Sequence, residues 1–196
     1  IPSGESLVRN FLIGKRIADR FGGGMDLGYF PDSFGQASQI PQILRGFGID
    51  TVVFWRGLCD DDSSQTEPCW RSRDGSEVLV EWMPYSYGNV HTLPSDPEKA
   101  ADFLRQALEV LEPMASTNQV LMMKGWDHSS FSPGIVNTLG KAAPLLEDTC
   151  RVRHSSLPDF IDAVKADLPS DLPVLEGEFR RAKTMRIHPG IGSTRM

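Results

Sequence analysis

The feature that most constrains the fold is the alternation of short apolar runs with amphipathic segments along the chain. Four runs have the length and composition of strands: DLGYF (26–30), TVVFW (51–55), SEVLVEWMP (76–84) and QVLMMKG (119–125). Two further strands are predicted near 151–154 and over 174–179. Because predicted helices separate most of these runs, the sequence predicts an α/β fold with mostly parallel pairing.

Five helices are predicted. The first, over 5–21, places Leu7, Phe11, Ala18 and Phe21 on one face with Ser3 as its N-cap, and the glycines at 22–24 end it. The others are predicted over 41–47, from Pro97 to the residue before Pro113, within 133–146 and over 157–166. Residues 56–74 form a polar loop in this interpretation, and a weak domain boundary is predicted over 169–173.

Charge and composition exclude several functions. The net charge is −6 and basic residues form no run, which argues against nucleic-acid binding. No apolar run approaches the roughly 20 residues that a membrane-spanning helix needs, and no signal-like segment opens the chain. The three cysteines indicate a reducing compartment, and we expect a cytoplasmic location. The first residue is Ile1, which predicts that the chain is a piece of a longer protein.

Polar residues follow the predicted strands at their carboxyl ends, where parallel sheets and barrels gather ligands and chemistry. They are Asp32, Arg56, Tyr85, Tyr87, Asp127 and His128, with Trp55, Trp82 and Trp126 nearby. Taken singly, each has a structural explanation. Asp32 could cap a helix or form a turn, and Asp127 could cap the next helix. Arg56 could pair with the acidic loop at 60–62, and the tryptophans could be core residues. The coincidence of four such positions at one end of the sheet favours an active site.

Two carboxylates with aromatic neighbours are suited to glycoside cleavage. One carboxylate attacks the anomeric carbon or stabilises it, and the other, kept protonated, donates a proton to the leaving oxygen. The residues alone therefore predict a carbohydrate-active or metal-assisted hydrolase.

The stretch GYFPDSFGQASQIPQILRGFGIDTVVFWRG (28–57) resembles the region around the nucleophile in glycoside hydrolase family 38, the retaining α-mannosidases, in their bacterial form. The resemblance continues through MKGWDH (123–128), 152–165, 172–179 and GSTRM (192–196). It implies that residues 1–196 form the central part of one catalytic domain, a seven-stranded β/α barrel with one zinc ion. It also implies hydrolysis of α-mannosidic bonds in a mannoside or oligosaccharide, with retention through a covalent glycosyl-aspartate intermediate.

The resemblance also implies roles for individual residues. Asp32 matches the nucleophile, which is also a zinc ligand, and Arg56 matches an arginine that holds this carboxylate. Phe34 matches an aromatic residue that packs against the bound sugar, and Asp127 aligns with the acid/base. Two more residues match substrate contacts: Tyr87, with Tyr85 as its competitor, and His128.

The chain departs from the family pattern at the zinc site. The family uses a His-x-Asp pair and a further His-Asp motif, and none of the four histidines lies in a His-x-Asp setting. Asp32 is the single matching ligand, and one carboxylate does not hold zinc. We therefore expect most zinc ligands in the rest of the parent protein, and expect the isolated chain to be inactive and metal-free.

Two alternatives remain open. Asp127 with His128 could be the metal motif of another metal-assisted carbohydrate hydrolase, such as a polysaccharide deacetylase, although the usual His-x-x-x-His partner is absent. The chain could also be a noncatalytic sugar-binding domain. A homo-oligomer is a further open alternative for the assembly.

Overall fold

The computed structural model describes residues 3–59, 61–181 and 185–188. The chain divides into two compact units, one formed by Ile1–Pro84 with Asp171–Met196 and the other by Tyr85–Ser170. The second of the two divisions falls inside the boundary predicted over 169–173, whereas the one after Pro84 was not predicted. The matching motif at 192–196 lies outside the described residues.

The first unit contains two helices and five strands. The helices are α1 (Gly4–Asp19) and α2 (Ile40–Gly46). The strands are β1 (Gly28–Phe30), β2 (Thr51–Phe54), β3 (Cys69–Arg71), β4 (Glu77–Trp82) and β5 (Val174–Glu176).

The strands form one sheet in the order β1-β2-β4-β3-β5. The β1–β2, β2–β4 and β3–β5 pairs are parallel, and β3 pairs antiparallel with β4. This confirms the predicted α/β fold with a mostly parallel sheet. The five strands of the described residues form an open sheet, so the closed seven-stranded barrel stays a prediction. Strand β3 was missed because it lies in the polar stretch interpreted as a loop.

The sheet is buried most deeply at β2, where Val52, Val53 and Phe54 have no exposed surface. Burial of every residue in a short apolar strand is typical of parallel sheets that are covered on both faces. Phe54 and Trp70 pack against Phe179, with ring centroids 5.8 and 4.5 Å away from it. The core of this unit therefore includes Phe54, the last residue of β2, and its aromatic neighbours.

Helix α1 begins as predicted, with the side chain of Ser3 accepting a hydrogen bond from the backbone N–H of Ser6. It ends at Asp19, where Gly22 and Gly23 adopt positive φ and the Gly23 N–H donates to the Ala18 carbonyl at 2.9 Å. This confirms the glycine cap. Phe21, which was predicted to lie on the apolar face, instead lies beyond the helix and is exposed.

The second unit contains α3 (Pro97–Leu111), α4 (Ile135–Ala142) and α5 (Leu157–Asp167). Short 3-10 helices follow α3 at Glu112–Met114 and α4 at Ala143–Leu146. Its core cluster includes three residues of α3 and consists of Val90, Leu93, Ala100, Ala101, Leu104, Ala142 and Leu146.

The strands predicted over 119–125 and 151–154 are not formed. In the first of these segments the backbone is tied to a loop instead of to a neighbouring strand. The Asn89 side chain accepts from the Met123 N–H at 2.6 Å and donates to the Leu121 carbonyl at 3.0 Å. An apolar run becomes a strand only where another strand takes its hydrogen bonds, and no described strand lies in this unit.

None of the helices in the described ranges is both long and apolar enough to cross a membrane.

Candidate active site

The carboxyl ends of β1 and β2 bring Asp32 and Arg56 together. The parallel register pairs Phe30 with Phe54, and each of the two polar residues follows its strand by two positions. They therefore continue the same register and face each other. The Arg56 Nε donates to Asp32 Oδ1 at 2.5 Å. The Asp32 side chain is 39% exposed and the Arg56 side chain 13%, so the guanidinium supports the carboxylate from the protein side and leaves it open to solvent.

Three further contacts fix the guanidinium of Arg56. Its Nη1 donates to the carbonyl of Arg186 at 2.5 Å. Its central carbon lies 3.8 Å from the ring centroid of Trp55 and 4.8 Å from that of Phe34. A guanidinium that stacks on aromatic faces keeps its hydrogen-bonding edge free. Arg56 therefore holds Asp32 in one orientation.

Phe34 lies partly exposed beside this pair. The ring of His188 packs edge-on against it, with centroids 5.2 Å apart and an interplanar angle of 87°. The structure thus brings together three of the predicted site residues, Asp32, Phe34 and Arg56, in the first unit.

The loops that carry these side chains are held against the segment around Phe179, a support that the sequence did not reveal. Gln36 and Phe179 exchange two backbone hydrogen bonds of 2.9 Å, and the Gln36 side chain donates to the Arg56 carbonyl at 3.2 Å. A Cβ at Gly57 would lie 2.5 Å from the Phe179 carbonyl oxygen, so only glycine fits there. The sequence offered no signal for this support beyond the presence of Gln36 and Gly57 in the 28–57 stretch.

The structure also tests two of the structural explanations for Asp32 and Arg56. Helix α2 has Gln39 as its N-cap, so Asp32 does not cap it. Among the described residues of the acidic loop, Asp61 and Asp62 pair with Arg181, and Arg56 pairs with Asp32.

Asp127 and His128 lie in the second unit, on an exposed turn. The His128 Nε2 is 3.4 Å from Asp127 Oδ2, and both side chains are largely exposed. His128 has a φ of 50°, in the left-handed region. Helix α4 has Gly134 as its N-cap, so Asp127 does not cap the next helix.

Tyr87 lies in the loop that supports this turn. Its carbonyl accepts a hydrogen bond from the Gly125 N–H at 2.9 Å, which ties the Tyr87 loop to the residues just before Asp127. Tyr85, the competing tyrosine, is about half exposed. Of the three tryptophans near the predicted strand ends, Trp82 is buried and Trp126 is 55% exposed. Trp82 is therefore a core residue, as one alternative predicted, whereas Trp126 is not.

The described residues do not complete a metal site. No group of three or more His, Cys, Asp or Glu side chains is arranged to hold a metal ion in the described ranges. Asp32 offers one carboxylate, and one of its oxygens already accepts from Arg56. Burial raises the pKa of the Cys69 thiol to about 11, and burial also raises the pKa of Cys59, so both thiols are protonated at neutral pH.

Comparison with known proteins identifies a family. Residues 1–178 match the family model for the glycosyl hydrolases family 38 N-terminal domain. A protein of Halalkalibacterium halodurans named "Putative mannosylglycerate hydrolase" is 35% identical over 94% of this chain and 22% of its own length. The alpha-mannosidase of Saccharomyces cerevisiae is 37% identical over 48% of this chain and 9% of its own length.

A solved structure agrees with these sequence matches. The crystal structure of an alpha-mannosidase from Enterococcus faecalis V583 superposes with a TM-score of 0.85 at 35% identity, covering 90% of this chain and 20% of that one. The chain thus spans about a fifth of the length of its best-covered relatives. The match assigns it to the N-terminal domain, whereas the sequence analysis placed it in the central part of the catalytic domain.

Proposed function

Because the chain belongs to glycosyl hydrolase family 38, we propose that the full-length protein is an α-mannosidase that cleaves its substrate with retention. The observation that carries the proposal is the Asp32–Arg56 pair at the carboxyl ends of two parallel strands. A carboxylate that is fixed by a stacked arginine and still open to solvent is suited to attack a sugar.

In the proposed reaction, Asp32 attacks the anomeric carbon of the mannosyl group while the bond to the leaving oxygen breaks. Arg56 engages Oδ1, so Oδ2 is the oxygen assigned to the attack. Asp127 donates a proton to the leaving oxygen, which departs as an alcohol. Asp127 then takes a proton from water, and the resulting nucleophile releases mannose from the glycosyl-aspartate. Phe34, Tyr87 and His128 are assigned contacts with the substrate.

We propose zinc as the cofactor, with most of its ligands in parts of the full-length protein outside this chain. The residues described here supply Asp32 alone, so they do not fit a zinc ion by themselves, and no step above depends on one. We also propose that the full-length protein completes a seven-stranded barrel and acts in the cytoplasm, in keeping with the three free cysteines.

The test is replacement of the nucleophile in the full-length protein. Asp32→Ala is expected to abolish hydrolysis of an aryl α-mannoside while leaving the thermal unfolding midpoint close to that of the wild type. Asp26→Ala is a matched control, because Asp26 is an exposed carboxylate of the same unit that pairs with Lys15. Retained turnover in Asp32→Ala would overturn the assignment of Asp32 as the nucleophile. A wild-type protein that binds mannosides without hydrolysing them would favour a sugar-binding role, and release of acetate from an acetylated polysaccharide would favour a deacetylase.

A further inference from the structure

The indole ring of Trp126 is held in place on one side. The imidazole of His91 stacks on it with ring centroids 4.0 Å apart and an interplanar angle of 13°. The backbone of Gly88 lies at the ring's edge, where an added Cβ would come within 2.9 Å of Trp126 Cε3. These contacts restrict how the ring can turn.

His91, which supports the ring, is itself fixed by three hydrogen bonds. Its Nδ1 lies 2.7 Å from the Gly88 carbonyl, which requires a proton on that nitrogen. Its backbone N–H donates to the same carbonyl at 3.0 Å, and its own carbonyl accepts from Lys124 Nζ at 2.6 Å. Trp126 therefore rests on a support with a defined position.

Two glycines allow the supporting loops to approach closely enough for this arrangement. A Cβ at Gly88 would lie 2.5 Å from the Gly125 carbonyl oxygen, and one at Gly125 would lie 2.6 Å from the Tyr87 carbonyl oxygen. Side chains at either position would push the loops apart. The close packing of 87–91 against 123–126 thus depends on both glycines.

Although its environment is this closely packed, Trp126 is 55% exposed, whereas Trp70 and Trp82 are buried. Leaving a large aromatic surface in water forgoes the stabilisation of burying it. An aromatic ring that is fixed from one side and open on the other is suited to stack on a ligand. The electron-rich face of the indole favours the polarised C–H groups of a sugar ring.

We propose that Trp126 is a specificity-determining residue that stacks on the leaving-group sugar of the substrate. The proposal rests on the function proposed above, in which the adjacent Asp127 protonates the leaving oxygen. Because Trp126 directly precedes the proposed proton donor in the chain, its ring is assigned to the departing group, whereas Asp32 and Phe34 are assigned to the mannosyl group. Trp126 therefore selects substrates whose leaving group is a pyranose ring, namely α-linked manno-oligosaccharides.

The experiment compares three substrates in the full-length protein: an α-linked mannobiose, mannosylglycerate and α-mannosyl fluoride. Only the first has a pyranose leaving group. Trp126→Ala is expected to lower kcat/KM for mannobiose about tenfold, mainly through KM, which is equivalent to about 1.4 kcal/mol of lost binding. The same variant should leave kcat/KM for the other two substrates within about twofold, because they place no ring on the indole.

Two further variants make the test specific. Trp126→Phe keeps an aromatic face and should retain most of the mannobiose activity. Phe131→Ala removes another exposed aromatic residue of the same unit and should not change the ratio between substrates. An equal fall in kcat/KM on all three substrates in Trp126→Ala, or no fall on mannobiose, would overturn the role of Trp126 but not the proposed α-mannosidase function. A wild-type protein that hydrolyses none of the three would overturn the proposed α-mannosidase function as well.

Discussion

At the scale of single residues, Arg56 tests how closely the nucleophile must be held. Arg56→Lys keeps the positive charge but loses both the fork of donors and the stacking on Trp55 and Phe34. Loss of one charge-assisted hydrogen bond is equivalent to about 1.5–3 kcal/mol. We expect kcat for an aryl α-mannoside to fall about 10- to 100-fold, measured in the full-length protein.

The control for this variant is Arg71→Lys. Arg71 also pairs with carboxylates of the same unit, Glu77 and Glu176, but lies on β3 away from Asp32. The Arg71→Lys variant should have the same kcat as the wild type. An Arg56→Lys enzyme with wild-type kcat would mean that charge alone suffices at this position.

The second residue-scale feature is a pair of buried carboxyl groups, one on β4 and one on the segment beside it. The Trp82 N–H donates to the Thr66 carbonyl and the Val80 N–H to the Pro68 carbonyl, so Glu67 lies opposite Glu81. The two residues are 1% and 2% exposed, and Glu81 Oε2 has no hydrogen-bond partner among the residues that the structure describes. Burial, with a smaller contribution from the charge of Glu67, raises the pKa of Glu81 well above its ordinary value of 4.5.

This raised pKa predicts how stability depends on pH. Above about pH 4.5 the unfolded chain releases the Glu81 proton while the folded chain retains it, so stability falls as pH rises towards the folded pKa. Glu81→Gln removes this dependence. We expect its thermal unfolding midpoint to exceed that of the wild type by a few degrees at pH 8 and to match it near pH 4.

Glu77 lies on the same strand, and its pKa is shifted in the opposite direction, which makes it a control for Glu81. A hydrogen bond and the charge of Arg71 lower the pKa of Glu77, so its contribution is present at neutral pH and is lost on acidification. Glu77→Gln should therefore be less stable than the wild type at pH 8. A Glu81→Gln variant that is destabilised equally at pH 4 and pH 8 would show that packing, and not ionisation, dominates at Glu81.

At the scale of elements, two glycines of the second unit should respond in opposite directions to alanine. Gly88→Ala places a Cβ 2.5 Å from the Gly125 carbonyl oxygen, and such overpacking costs about 1–3 kcal/mol. Gly140 lies in α4 with open space around it, where alanine stabilises a helix by about 0.5–1 kcal/mol.

Hydrogen exchange in the full-length protein measures both effects locally. Gly88→Ala should speed exchange of the amides over 87–91 and 123–126, and Gly140→Ala should slow exchange within α4. Unchanged exchange over 123–126 in Gly88→Ala would show that the two loops do not support each other.

The elements that the sequence predicted well are those whose signals are local. The helix that begins at Pro97 carries its own N-cap, its own stripe and a proline near its end, so its bounds follow from neighbouring residues. The run at 119–125 has an equally apolar composition, but whether it becomes a strand depends on a partner far away in the sequence. The Asn89 side chain bonds to the backbone of the run where a neighbouring strand would otherwise pair with it. No residue within the run indicates this contact.

At the scale of the whole molecule, the predicted site residues fall in both units of the chain. The pairing of Asp32 with Arg56 could be predicted, because both follow adjacent parallel strands in the same register. The support that Phe179 gives to Gln36 could not be predicted, because one isolated bridge joins these positions more than 140 residues apart. Asp127 belongs to the other unit, so its role in the same reaction remains a proposal.

The size of the chain relative to its relatives gives the last prediction. Catalytic zinc sites use three or more protein ligands, and the described residues offer Asp32 alone. The isolated 196-residue chain should therefore bind no stoichiometric zinc in equilibrium dialysis and should not hydrolyse an aryl α-mannoside. The full-length protein is expected to bind one zinc ion, and Asp32→Ala in that protein is expected to lower its zinc content. Stoichiometric, Asp32-dependent zinc binding by the isolated chain would show that its own residues complete the site.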